Sequence, residues 1–181
     1  MKKSVISAFI AGVLSLAAGG AFASDGTITF NGALTAATCT INGNGTSSKD
    51  FTVTLPTVST STLTAAGQTA GTTSYSIALS ACSPVTSTSK ASVFYEAGTT
   101  VDPSDGRLLV AAGGAGNVKL ELLNQDGSQI KAGYSTDLQN SKPASIASGA
   151  ATLYYDVRYY ATGATSAGPA NSSVVYSIDY Q

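Results

Sequence analysis

Cys39 and Cys82 are the side chains of this sequence best suited to covalent chemistry, and the sequence contains no histidine. Redox or metal chemistry needs a second thiol or an imidazole close by, and neither cysteine has one. In an oxidising compartment a single pair of this kind is expected to form an intramolecular disulfide, here closing 43 sequence positions. The carboxylates are scattered with no metal-like cluster, and no GxSxG spacing marks an activated serine. Gly113-Gly114-Ala115-Gly116 is glycine-rich, but no Lys-Ser/Thr pair and no helix start follow it, so it reads as a loop and not as a phosphate cradle. Nothing in these patterns supports an enzyme, and no cofactor or metal site is expected.

The compartment follows from the N-terminus. Lys2 and Lys3 precede an apolar run from Val5 to Ala18, and the small-residue site Ala21-Phe22-Ala23 comes next, which is the pattern of a secretory signal peptide over residues 1–23. The run is shorter than the roughly 20 residues that span a bilayer. Cleavage after Ala23 leaves Ser24 to Gln181, the length of one domain with its own core. Without Lys2 and Lys3 the nine Lys and Arg fall to seven against ten Asp and Glu, a balance that disfavours a nucleic-acid partner.

The elements that must position any site are strands. The composition is rich in Thr, Ser, Ala, Gly, Val and Tyr, and no helical periodicity is sustained. Period-two alternation predicts strands over Thr27–Phe30, Leu34–Ile41, Phe51–Val58, Thr72–Cys82 and Ala91–Glu96. A short run at Leu108–Ala112 follows the turn Asp102-Pro103-Ser104-Asp105-Gly106, and Asp126-Gly127 predicts a hairpin between Val118–Leu123 and Ile130. Ala151–Ala161 reads as a long strand with Leu153, Tyr155, Val157 and Tyr159 on one face and Tyr154, Asp156, Arg158 and Tyr160 on the other. Ser172–Gln181 alternates again, with Val174, Tyr176, Ile178 and Tyr180 on one side. Short strands at this spacing, one disulfide and this length predict an antiparallel, immunoglobulin-like β-sandwich. The paired tyrosines offer a carbohydrate-binding surface as another reading, although strand tyrosines usually serve as half-buried packing.

Three features together resemble the type 1 family of fimbrial subunits assembled by the chaperone–usher route, and of that family the major pilins. Gly26-Thr27-Ile28-Thr29-Phe30-Asn31-Gly32, just after the cleavage site, looks like the family's N-terminal extension. Cys39 followed by Tyr75-Ser76-Ile77-Ala78-Leu79-Ser80-Ala81-Cys82 looks like its early cysteine and the partner that closes a Tyr/Ile/Leu strand. Asp156-Val157-Arg158-Tyr159-Tyr160-Ala161, Gly168 fourteen residues from the end and the penultimate Tyr180 look like its C-terminal signature.

The resemblance implies an all-β, incomplete immunoglobulin-like sandwich lacking its final strand and completed by donor-strand complementation. It divides the chain into a signal peptide (1–23), a donor extension (24–33) and the pilin domain (34–181). Ser24, Gly26, Ile28, Phe30 and Gly32 would then face inward from the donor strand, with Ile28 and Phe30 as apolar anchors and the extension short enough that Ser24 takes the outermost place. The acceptor and chaperone-contacting side is expected at Gly168, Val174, Tyr176, Ile178, Tyr180 and Gln181, and the groove-side strand at Leu153, Tyr155, Val157 and Tyr159. Implied partners are neighbouring pilin subunits, a periplasmic pilus chaperone and an outer-membrane usher, with a final place in a fimbrium on the cell surface. The competing readings are a minor adaptor or terminator of the same fibre, a glycan-binding adhesin and a complete, monomeric secreted sandwich.

Overall fold

The computed structural model describes residues 27–32, 34 and 36–181, in two units that divide between Leu34 and Thr35. The predicted signal peptide, Ser24 and Gly26 lie outside the described residues. In the leading unit, residues 27–32 have no regular secondary structure, and Ile28 and Phe30 are 79% and 87% exposed. The strand expected over Thr27–Phe30 is therefore not formed. Alternation selects a face, but a ladder needs a partner strand to hold it.

The second unit is an antiparallel β-structure. In chain order it contains β1 (Thr38–Gly43), β2 (Thr69–Ser83), β3 (Lys90–Tyr95), β4 (Leu108–Leu109), β5 (Val118–Asn124), β6 (Gln129–Ile130), α1 (Thr136–Gln139), β7 (Ala144–Ser145), β8 (Ala151–Ala161) and β9 (Tyr176–Tyr180). One sheet runs β1-β2-β8-β5-β4 with β6 also paired to β5, and the other runs β7-β3-β9. Every pairing is antiparallel.

The long pairing is β2 on β8, from Thr69 opposite Tyr160 to Leu79 opposite Ala151, with one register shift between Ala70 and Thr73. β8 fills its predicted range end to end. The Asp126-Gly127 hairpin also forms, with Gly127 at φ 78 and the Asn124 N–H donating to the Ser128 carbonyl at 2.9 Å. The first strand is shorter than expected and starts at Thr38. Ser172–Gln181 is strand from Tyr176 onward; before it, the Glu96 N–H donates to the Val175 carbonyl and the Thr100 hydroxyl to the Ser173 carbonyl.

The inner faces of the two sheets share one core. Leu153, Tyr155 and Val157 of β8 pack with Ile77 and Leu79 of β2, Leu120 and Leu122 of β5, and Val93 and Tyr95 of β3. Cys39 and Cys82 form a disulfide that ties β1 to the end of β2. β3 outruns the two-residue β7, and beyond it the N–H groups of Val93 and Tyr95 are satisfied by side chains. The Gln139 amide pairs with Tyr95 like a strand, accepting from its N–H at 2.7 Å and donating to its carbonyl at 3.0 Å. The Tyr155 hydroxyl accepts from the Val93 N–H at 3.1 Å.

On the outer face of the larger sheet, Glu121 is nearly buried and is held between Arg107 and Arg158, each with a guanidinium nitrogen 2.6 Å away. A buried carboxylate needs such partners, since its desolvation is otherwise uncompensated. The neighbouring Asp105 lies beside Arg107 and Lys119. Partial burial acts to raise its carboxyl, but the hydrogen bonds from Lys119 and Arg107 prevail and hold it below the ordinary range.

Candidate functional site

Phe51, Val53 and Leu55 alternate as a strand would, with their side chains half-buried against the core and Thr52 and Thr54 exposed. Among the described residues, however, the backbone of 51–58 joins no sheet ladder. The strand expected over Phe51–Val58 is thus an extended segment whose apolar face is docked and whose backbone is not paired. Pro56 has no N–H to offer a ladder. The Phe51 ring lies where a side chain at position 43 would have to be: a Cβ on Gly43 would meet it at 1.9 Å.

Opposite this segment runs the approach to β9, residues 172–177. Between the two lies a cavity of about 610 Å³, bounded by residues 49–53 and Leu55 on one wall and by 172–177 on the other. Its floor is core: Tyr75 and Ile77 of β2, Leu120 and Leu122 of β5, Leu108, and Val157 of β8. Aromatic rings shape one end, where Phe51 lies 6.0 Å from Tyr75 and 6.2 Å, edge-on, from Tyr176. The hydroxyls of Tyr75 and Tyr95 satisfy one another at 2.7 Å, so the floor there offers no free polar group. Burial raises both hydroxyls well above the usual tyrosine range, which keeps them neutral.

One tyrosine of β9, Tyr176, crosses from this wall to the other. The Tyr176 hydroxyl donates to the Lys49 carbonyl at 2.7 Å, whereas Tyr180, further along β9, lies near the Cys39 backbone of β1. Partial burial, then the nearby Asp50 charge, raises the Tyr176 hydroxyl. The site is therefore an apolar trough with extended backbone on both rims. That is the geometry for accepting an extended peptide through ladder bonds and alternate side chains.

The residues singled out from the sequence fall in several places. Val174, Tyr176 and Val157 line the cavity. Ile178 and Tyr180 continue along β9, half-buried against the core, and Gln181 is exposed, with its backbone paired to Lys90. Leu153 and Tyr155, expected on the groove side, are instead closed core at 2% exposure each. Tyr155 is roofed by β3 through Val93. Tyr159 packs half-buried at the core edge. Gly168 lies against the 113–116 loop, where a Cβ would come within 2.8 Å of the Ala115 nitrogen; it permits a close backbone approach and does not line the trough.

The wall at 49–55 is the part that sequence reasoning missed. Its alternation was visible, but its unpaired backbone was not. Two Ser-x-x-Lys spacings, Ser87–Lys90 and Ser128–Lys131, also occur in the sequence. The Ser128 hydroxyl donates to Asp126, and Lys131 sits 5.4 Å from the centre of the Tyr134 ring.

A family model described as Type-1 fimbrial protein, A matches residues 55–181. The chain is 43% identical over 164 residues to the major fimbrial subunit SMF-1 of Stenotrophomonas maltophilia, spanning 87% of this chain and 94% of that protein. It is 39% identical over 178 residues to the F17 fimbrial protein of Escherichia coli, spanning 96% and 97%. The crystal structure of the Burkholderia pseudomallei antigen and type I fimbria protein BPSL1626 superposes with a TM-score of 0.55 at 28% identity, covering 79% of this chain and 99% of that one. These matches define a class, the structural subunits of surface fimbriae. The chain belongs to the type-1 fimbrial protein family. Its role is therefore structural, in a surface pilus built of pilin subunits.

Proposed function

We propose that the chain is a shaft subunit that polymerises by laying residues 24–32 of one copy into the trough of the next. One observation carries this reading: two extended walls, 49–55 and 172–177, flank an apolar trough, while Ile28 and Phe30 are almost fully exposed. A trough of this kind on an exported protein is an aggregation hazard unless a strand covers it. Burying Ile28 and Phe30 would contribute about 1.5 to 3 kcal/mol each, and the ladder bonds add to that. By alternation Ser24, Gly26 and Gly32 face the same way as the two anchors, and a glycine suits a donor backbone that must approach closely. The division of the chain between residues 34 and 35 supports treating the extension and the body as separate parts.

During export a periplasmic chaperone covers the trough first, contacting β9 and the Gln181 carboxylate, and an outer-membrane usher oversees the exchange. The likeness to a major subunit favours the shaft over a minor position. Deleting Ser24–Gly32 tests the proposal: the truncated chain should still accept a synthetic strand but stop extending fibres seen by electron microscopy. Fibres of normal length from that variant would show that the donor lies elsewhere.

A further inference from the structure

We propose that Tyr176 is a latch across the trough, a positioning residue that controls how fast a donor strand is taken up. The inference rests on the reading of the trough as a strand acceptor. β9 faces it with Tyr176, which reaches the Lys49 carbonyl on the far wall, while Tyr180 lies further along β9 near the Cys39 backbone of β1. The cavity ends between these two tyrosines: on the β9 side it is lined as far as Ser177, and neither Ile178 nor Tyr180 borders it. Tyr176 thus stands where the open part of the seam gives way to the closed part.

The latch holds more than a side-chain contact. The Lys49 carbonyl belongs to the wall, and an added strand would bond to wall carbonyls of this kind through its own N–H groups. The Tyr176 hydroxyl takes one of that carbonyl's two acceptor positions, and its ring stands edge-on to Phe51 at the same point. A strand longer than the open stretch cannot seat fully until the hydroxyl lets go. The hydrogen bond is exposed to solvent, so the latch is weak enough to open without unfolding the body.

The test uses the full chain, diluted until it does not self-associate, and a fluorescent synthetic peptide of residues 24–33, with capture followed by anisotropy. Tyr176→Phe keeps the ring and removes the hydroxyl. It should speed capture by about 3- to 10-fold, the worth of one such hydrogen bond. Tyr154→Phe, at an exposed hydroxyl on β8, should leave the rate unchanged. A residue that only supported the fold would shift the urea midpoint of Tyr176→Phe and leave the capture rate alone. Tyr176→Leu separates ring from hydroxyl: if only this variant is faster, the ring and not the hydroxyl is the obstacle, and the latch is overturned. Equal rates for wild type and Tyr176→Phe, with peptide bound to both, also overturn it while leaving the acceptor reading intact. If the wild-type chain captures no peptide at all, the acceptor reading fails and the latch fails with it.

Discussion

Thr72–Cys82 and Phe51–Val58 carry the same alternation of apolar and polar side chains, yet the first lies within β2, laddered to β1 and β8, and the second joins no ladder. Both bury their apolar face against one core. The difference lies in the backbone. β2 exchanges its N–H and C=O groups with two neighbours, while the 51–58 segment faces a trough across which β9 presents its own free edge. Hydrophobic pattern alone therefore decides what docks, and the presence of a neighbour decides what becomes sheet. The molecule is finished on the β2–β8 side and open on the other, and assembly is to be expected at the open one.

The largest predicted effect concerns the disulfide that ties β1 to β2 on the finished side. Replacing Cys39 and Cys82 with serine should lower the unfolding free energy by about 4 kcal/mol in urea titrations, from the loop of 43 positions that the disulfide closes. Next, Leu153→Ala, in the closed core, should cost about 3 kcal/mol. Leu55→Ala, on the trough wall, should cost under about 1 kcal/mol in the isolated chain, because its side chain is only half-buried there. The contrast breaks if the two cost the same; it sharpens if the Leu55→Ala penalty grows once the 24–33 peptide is bound.

Gln139→Ala removes the amide that completes β3 and leaves the Tyr95 N–H without its partner, while the Tyr95 carbonyl keeps the Gly133 N–H at 2.9 Å. A loss of about 2 kcal/mol is expected, together with faster amide exchange at Tyr95. The smallest effect is acid sensitivity on the finished side. The carboxyl of Asp105 is held low in the folded chain, so its contribution is complete above the unfolded value of about 3.9 and is lost as pH falls toward the folded value. The melting temperature should therefore drop below about pH 4, and Asp105→Asn should flatten that drop. A drop of unchanged size in the variant would assign the acid sensitivity to other carboxylates.

Much of the finished region was legible in the chain. The β8 alternation from Ala151 to Ala161, the Asp126-Gly127 turn and the lone cysteine pair each state a local rule that the structure follows. Less of the trough was legible. Val174, Tyr176 and Val157 were visible as apolar strand positions, but the same reasoning placed Leu153 and Tyr155 beside them, and those two are closed core, with Tyr155 bonded to β3. Gln139 gave no signal, since an amide that completes a sheet edge looks in sequence like any other polar helix residue.

The sequence by itself determined that this is a strand-built protein with one cross-link, and it determined the family through residues at its two ends and its cysteines. Tertiary structure decided which alternating segments pair and which stay open, and so where the trough lies. The physical reason is that alternation records only which side chains leave water. Hydrogen bonding between strands depends on neighbours that are distant in sequence, as Lys49 and Tyr176 are, and no local pattern encodes whether that neighbour is adjacent or one strand-width away.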